Sequence, residues 1–329
     1  MPETSNKSEF IVGVDLGGTK ILAGVFAPSL KLLGKVKLST KVERGVDAVL
    51  DRVARSVREA VDECDLDMNQ CRGIGIGAPG AVDFEAGRVI FAPNLEWRDV
   101  LMKKELEKRL DAPVFLENDC NVCTLGVHEH EFGGKPRHMI GIFVGTGIGG
   151  GIILDGKLFS GANHTAGEIG HMVMQLDGDK CRCGNKGCLE ALASRTAIFN
   201  RIQAAVKDGQ KTLLSQILGD KFDNMKSGDL RKAIRRGDKF VEKVVEQAAE
   251  YIGIGVGNLV NLFNPEIVVL GGGVIDALED EMLKIIIKTA REYAMPGATE
   301  GLEIITTHLG NDAGITGAAV LVKQQLKQS

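Results

Sequence analysis

Short apolar runs alternate along this chain with segments in which apolar residues recur every three to four positions, which is the pattern of an α/β protein. Phe10 to Val14 predicts a buried strand, Asp15-Leu-Gly-Gly-Thr-Lys20 a turn, and Ile21 to Phe26 a returning strand. Lys31 to Leu38 supplies a third strand. Val46 to Glu63 places Val46, Val49, Leu50, Val53, Val57, Ala60 and Val61 on one face of a helix. Gly73 to Ile76 reads as a strand entering the turn Gly77-Ala-Pro-Gly80, Val100 to Leu110 as a helix and Pro113 to Leu116 as a strand. Glu117-Asn-Asp-Cys-Asn121 then opens a helix that runs to about Glu131.

The order returns in the second half. His138 to Val144 is a strand, Gly145-Thr-Gly-Ile-Gly-Gly-Gly151 a turn, Ile152 to Leu154 a strand, and Asp155-Gly156 a hairpin turn. Residues 190–260 are mainly helical, with Val241, Val244, Val245, Ala248, Ala249 and Ile252 on one face. Ile267 to Leu270 is a strand ending in Gly271-Gly-Gly273. Glu281 to Tyr293 is a helix, Leu302 to Thr306 a strand, and Ile315 to Leu326 a last helix. Hairpin, helix, strand, helix, strand occurs twice, so two related α/β lobes are expected. The first spans 1–120 and is completed by the C-terminal helix at about 315–329; the second, larger one spans 121–314. Polar Lys207 to Asp229 is the expected insertion or mobile segment.

Composition narrows the class. The 329 residues carry a formal net charge of −4, which gives no global basic field for nucleic acid. Glycine is the departure: 42 residues, nearly twice the usual ~7%. Many glycines with few aromatics suggest tight backbone turns, and such turns often hold phosphates. Residues 1–9 have no apolar core and do not read as a secretory leader. The most apolar later stretch, Gly253 to Ile275, is interrupted by Asn258, Asn261, Asn264, Pro265 and Glu266, so no membrane span is expected. Seven unevenly spaced cysteines point to a reducing cytoplasm.

The glycine turns carry the first chemical signal. Gly145-x-Gly147-x-x-Gly150 matches a dinucleotide fingerprint on paper, but that fingerprint needs a helix directly after the turn. A strand follows here, so it is rejected, and no Walker-type P-loop occurs. Two equivalent hairpins remain, Asp15–Lys20 and Gly145–Gly151, able to aim backbone N–H groups at an anion. Gly271 to Gly273 forms a third such turn. Asp15 is either a turn residue bonded to its own backbone or an outer carboxylate for Mg²⁺. Thr19 can donate to a phosphate, and Lys20 is a phosphate charge or a solvated one. His171, Cys181, Cys183 and Cys188 have the composition of a closed structural zinc site in loop 171–188, with no position left for Lewis-acid chemistry. Such a knuckle would pin nearby Glu168 and Glu190. Asp119 is, from its position alone, a helix cap or a functional acid.

These residues carry a resemblance. Asp15-Leu-Gly-Gly-Thr-Lys20, Glu117-Asn-Asp119, Gly145 to Gly151, Gly167-Glu-Ile-Gly-His171 and Cys181-Arg-Cys-Gly-Asn-Lys-Gly-Cys-Leu-Glu190 resemble the ROK sugar kinases and repressors. Leu270-Gly-Gly-Gly-Val274 and Leu309-Gly-Asn-Asp-Ala-Gly314 extend the match. Gly77-Ala-Pro-Gly-Ala-Val-Asp83, with Ala92-Pro-Asn-Leu-Glu-Trp97, is most similar to the family's glucokinase branch. The resemblance implies two actin-like ATPase (ribonuclease H-like) lobes with an interlobe cleft for ATP. It implies phosphorylation of glucose to glucose 6-phosphate with Asp119 as catalytic base. Asn94, Asn118, Asp119, Glu168, His171 and Glu190 would bind the sugar, with His171 using its second ring nitrogen. Asp15, Gly17, Gly18, Thr19, Lys20, Gly145, Thr146, Gly147, Gly271, Gly272 and Gly273 would bind ATP. Mg²⁺, structural Zn²⁺ and a homodimer or homotetramer complete the expectation, with no nucleic-acid or membrane partner.

Alternatives stay open on the residues. Fructose, N-acetylglucosamine or N-acetylmannosamine would need the same base and turns. A sugar-sensing repressor would need a helix-turn-helix, for which the nine residues before Phe10 leave no room; a pure sugar binder would not need Asp119. Cys120 and Cys123 read as packing, Cys64 and Cys71 as loop residues, His128 and His130 as solvated, and Trp97 as packing.

Overall fold

A computed structural model describes residues 9–219 and 222–327. Residues 1–8, two residues of the polar 207–229 segment and the last two positions of the expected C-terminal helix lie outside the described residues. From the N-terminus the chain forms β1 (Phe10–Leu16), β2 (Lys20–Phe26), β3 (Leu32–Ser39), α1 (Val46–Asp62), β4 (Cys71–Ala78), β5 (Ala81–Asp83), β6 (Arg88–Ala92) and β7 (Trp97–Val100). It continues through α2 (Met102–Leu110), β8 (Val114–Asn118) and α3 (Asp119–His130). The second half forms β9 (Met139–Val144), β10 (Ile148–Leu154), β11 (Lys157–Leu158), α4 (Leu189–Ala193), α5 (Arg195–Lys207), α6 (Leu214–Leu218) and α7 (Ser227–Arg235). It ends with α8 (Lys239–Phe263), β12 (Ile267–Gly271), α9 (Ile275–Tyr293), β13 (Glu303–Thr306) and α10 (Ala313–Leu326).

The two large sheets have one design. The first runs β3-β2-β1-β4-β8 and the second β11-β10-β9-β12-β13. In the first, β1 is antiparallel to β2 and parallel to β4, which is parallel to β8. In the second, β12 is parallel to both β9 and β13. The fold is thus α/β with two related lobes. The chain divides into one unit of residues 9–135, 151–167 and 312–327 and another of 136–150, 168–219 and 222–311.

Each unit buries its own core. In the first, Val12, Val14, Ile74, Ile76 and Leu116 from the sheet meet Val49, Leu50, Val53 and Val57 of α1. In the second, Ile140, Ile142, Val268 and Leu270 meet Val245, Ile252 and Val256 of α8 and Met282 and Ile286 of α9. Full burial of such side chains favours folding by about 1.5–3 kcal/mol each. The other face of the first sheet is covered by α10, which lies on paired glycines. A Cβ at Gly13 would come within 1.9 Å of the Ile315 carbonyl oxygen, and one at Gly75 within 1.9 Å of that of Ala318.

Four features differ from the sequence reading. β10 begins at Ile148, inside the expected turn, because its three glycines supply no apolar signal although they are extended. A small sheet, β5-β6-β7, occupies residues between the expected turn at Gly77–Gly80 and the expected helix at Val100, to which the sequence reading assigned no element, and it takes Val100 from that helix. Its strands are short, and Ile90 and Phe91 are exposed, so polarity does not mark them. α9 starts at Ile275, six residues before Glu281. His128 is buried on α3 rather than solvated, whereas His130 is exposed as expected. The polar 207–229 segment holds α6 and is tied down where the Thr212 hydroxyl and Leu213 N–H donate to Asp238, both at 2.6 Å. No described helix is long and apolar enough to cross a membrane.

Candidate functional site

The β1–β2 turn of the first unit is closed by backbone and by one threonine. Gly17 N–H donates to the Lys20 carbonyl at 2.9 Å, and the Thr40 hydroxyl to the Gly17 carbonyl at 2.6 Å. Gly18 lies against Asn94: a Cβ there would stand 2.8 Å from the Asn94 carbonyl oxygen. The sequence reading kept these two residues in separate sites; the structure makes them neighbours. Thr19 is exposed. Asp15, at the end of β1, faces Gly314 in the first turn of α10. Burial pushes its carboxyl pKa up, and the Lys20 ammonium opposes that rise. Lys20 therefore stands close enough to act on Asp15.

The start of α3 separates capping from chemistry. Asn118, in extended conformation, is the cap: its Oδ1 accepts from Cys120 N–H at 2.9 Å and Asn121 N–H at 3.2 Å. Its Nδ2 donates to the Gly80 carbonyl at 3.0 Å. Asn118 thus spends its oxygen on the helix and keeps one amide hydrogen for a ligand, less than the donor and acceptor expected from it. Asp119 occupies the first helical position and accepts from Cys120 N–H at 2.9 Å. Glu117 is an anchor that sequence reasoning missed, since nothing in a lone Glu marks it as buried. Its Oε1 accepts from Asn118 N–H at 2.8 Å and Asn121 Nδ2 at 3.0 Å, and burial raises its pKa. Asp15 and Asp119 both act on the Cys123 thiol, which burial and these two charges hold well above its ordinary value. The fold has brought the two distant aspartates around one residue.

The corresponding turn of the second unit is fastened by a helix. Gly145 N–H donates to the Gly147 carbonyl at 2.8 Å. The first residues of α5 then grip the turn: Arg195 N–H donates to the Gly145 carbonyl at 3.0 Å and the Thr196 hydroxyl to the Thr146 carbonyl at 2.7 Å. The Arg195 guanidinium donates to the Thr146 hydroxyl oxygen. On α4, Glu190 Oε2 accepts from Ile148 N–H at 3.0 Å, and a Cβ on Gly147 would lie 2.2 Å from that oxygen. Gly147 is therefore required by Glu190. Gly145 and Gly273 face open space, whereas Gly271 and Gly272 pack against Phe143 and Val144. The free approach to backbone needed for a phosphate belongs to Gly145 and Gly273.

Beside this turn lies the cysteine knuckle. One ligand atom each from His171, Cys181, Cys183 and Cys188 can be chosen so that all lie within 4.8 Å of one another. His171 Nδ1 is 3.6 Å from Cys181 Sγ, and Cys183 Sγ is 3.7 Å from Cys188 Sγ. Gly184 and Gly187, at φ 100° and 70°, turn the loop back, and Cys181 N–H donates to the Asn185 carbonyl at 2.8 Å. Burial and its sulfur neighbours push the Cys188 thiol up to about 12, a cost that a divalent cation among thiolates would reverse. Three thiolates and an imidazole suit zinc. His171 Nε2 is turned the other way, 3.8 Å from Glu168 Oε2. Cys181 Sγ stands 4.0 Å from Glu190 Oε1, so Glu190 reaches both the knuckle and the glycine turn. The first unit thus gathers Asp15 to Lys20, Asn94, Asn118 and Asp119, and the second gathers the remaining expected site residues.

Comparison with known proteins gives this geometry a family. The chain is 36% identical over 321 residues to a glucokinase of Thermotoga maritima, covering 96% of this chain and 98% of that one. It is 36% identical over 267 residues to a xylose repressor of Caldicellulosiruptor bescii, covering 79% of this chain and 65% of that protein. Among solved structures it resembles a ROK family glucokinase from Streptomyces griseus in complex with glucose and AMPPNP, with TM-score 0.82 and 34% identity over 96% of this chain and 99% of that one. With the ROK family model matching residues 11–325, the chain belongs to the ROK family.

Proposed function

We propose that this chain transfers the γ-phosphoryl group of ATP to the 6-hydroxyl of glucose, releasing glucose 6-phosphate and ADP. The observation that carries the reading is likeness along nearly the whole chain to glucokinases, one of them solved with glucose and AMPPNP. The local geometry supports it. Asn118 caps α3, so Asp119 can serve as general base, taking the 6-hydroxyl proton as that oxygen attacks the γ-phosphorus. The bond from the γ-phosphorus to the β–γ bridging oxygen breaks, and ADP leaves with the electron pair. The turns at 17–20, 145–147 and 271–273 would cradle phosphates, with Gly145 and Gly273 giving the closest approach. Asp15 would hold Mg²⁺ through water, an ion that neutralises charge on the β- and γ-phosphates when bound. His171 would ligate zinc through Nδ1 and leave Nε2, with Glu168 and Glu190, for ring hydroxyls. Asn94 and the remaining amide hydrogen of Asn118 would complete the sugar contacts.

The reading is tested by a coupled assay with ATP and Mg²⁺ across glucose, fructose, N-acetylglucosamine and N-acetylmannosamine. Glucose should give the highest kcat/KM; another sugar about tenfold better would replace the substrate and leave the mechanism. The likeness to a xylose repressor favours one rival, a sugar sensor, which would bind sugar without turnover of any of the four. We place the enzyme in the cytoplasm as a homodimer or homotetramer, which light scattering would measure.

A further inference from the structure

We propose that Arg195 is a phosphate-binding residue of the nucleotide site, presenting its guanidinium and the Thr146 hydroxyl together to the terminal phosphates of a nucleoside triphosphate. This rests on the reading of 145–147 as a phosphate turn. Three observations carry it. Arg195 is fixed to that turn twice, by its backbone N–H on the Gly145 carbonyl and by its guanidinium on the Thr146 hydroxyl oxygen. Accepting from the guanidinium leaves the Thr146 O–H free to donate outward, and the guanidinium has further N–H groups in a fixed fork.

The second observation is charge. Arg55, Arg72, Arg88, Arg109, Arg201 and Arg235 each pair with a carboxylate, whereas Arg52, Arg58, Arg98 and Arg291 lie on backbone oxygens or a ring, and Arg195 too lacks a carboxylate. Among the described residues none pairs with Arg195, whose guanidinium bonds Thr146 alone. The third is what stands opposite. Glu190 reaches the same turn through Ile148 N–H, a negative charge beside the place where phosphates would lie. A cation on the turn offsets that repulsion, and Gly145, with open space before it, leaves the approach clear. Arginine also binds phosphate in two parallel hydrogen bonds, which sets orientation as well as affinity.

The test separates charge from scaffolding. AMPPNP and glucose are titrated calorimetrically, in separate experiments, into wild type, Arg195→Gln, Arg195→Lys and Thr146→Val. Arg195→Gln should weaken AMPPNP by about tenfold to a hundredfold, the range for a lost charged hydrogen bond. Glucose affinity should stay within about twofold, and KM for ATP should rise while KM for glucose holds. Arg195→Lys keeps the charge without the fork and should recover part of the loss; Thr146→Val should show a smaller loss. Arg195→Gln with AMPPNP affinity near wild type would overturn the proposal. So would an equal loss of glucose affinity, which would mean that Arg195 only holds the turn in shape. If wild type binds glucose but no AMPPNP, the phosphate reading of the turn itself is wrong, and this inference falls with it.

Discussion

The two hairpin turns occupy the same place in two sheets of the same strand order, yet they are held by different chemistry. The turn at Gly17 is tied by the Thr40 hydroxyl and lies against the Asn94 backbone, with Asp15, Lys20 and Asp119 around Cys123 nearby. The turn at Gly145 is gripped by α5 and shares Glu190 with the cysteine knuckle. The shared topology supplies a turn in the same position of each sheet; on the proposed reading, the segments that follow it would supply the function. In the first unit that would be the acid at the start of α3. In the second it would be the Cys₃His loop, which places Glu190 beside the turn.

If the units divide labour in this way, the largest effect belongs to Asp119. Asp119→Asn should lower kcat by about 10²–10⁴, the usual cost of losing a general base. Because Asn118 makes the cap, the variant should melt close to wild type and keep its glucose affinity. A folded Asp119→Asn enzyme with kcat close to that of wild type would remove the acid from the first unit.

The glycines make the next test. Gly147→Val would drive a side chain into the Glu190 carboxylate, so it should raise KM for both ATP and glucose, by about tenfold or more. Gly145→Ala meets nothing within 4 Å and should weaken ATP alone. Gly18→Val presses on Asn94 and should raise KM for both substrates from the first unit's side. Steady-state kinetics with each substrate varied would show whether the turns are coupled to sugar as the contacts imply; ATP-only effects in all three variants would refute it.

A smaller effect is expected from the metal. Elemental analysis should find about one zinc per chain. Cys183→Ser should release it and raise KM for glucose several-fold, with less change in KM for ATP, because an ion held by these ligands would orient His171, and Cys181 stands 4.0 Å from Glu190. Metal-free protein with unaltered glucose affinity would show that the knuckle is a brace for the loop and has no part in the sugar site.

The repeated succession of strands and helices in both lobes was legible because buried strands such as Phe10–Leu16 and Ile267–Gly271 are apolar runs and their turns are glycine-rich; the order of strands within each sheet was not. The meeting of His171, Cys181, Cys183 and Cys188 was legible because soft side chains crowded in one loop have few other uses. The small β5-β6-β7 sheet was not, since its one-sided burial over three to five residues leaves no period to read. Nor was Glu117, whose burial depends on strands β4 and β8 pairing. The neighbourhood of Gly18 and Asn94 depends on a turn and a short 3₁₀ segment meeting, which no local pattern encodes. Arg195 was silent for the same reason: as the first residue of a helix it has no motif, and only the fold puts it on Thr146.

The smallest expected effect concerns that buried carboxylate. Glu117 is 4% exposed, and burial raises its pKa above the unfolded value of about 4.3, against the opposing hydrogen bonds from Asn121 and Asn118 and the charge of His164. A carboxyl whose pKa is raised by folding binds its proton more tightly in the folded chain. Its favourable contribution is complete below the unfolded pKa and is lost as pH rises through the folded pKa. Above that window the ionised group is a net burden on the first unit. Glu117→Gln keeps an oxygen at Oε1 for the Asn118 N–H and the Asn121 amide, and removes the charge. Its Tm should therefore exceed that of wild type by a few degrees at about pH 8, and the gap should close near about pH 4. Thermal melts across that range measure it. A variant less stable than wild type at pH 8 would mean that the Asn118 N–H and the Asn121 amide stabilise the ionised Glu117 by more than its burial costs, and that the carboxylate is a brace of the α3 start rather than a burden.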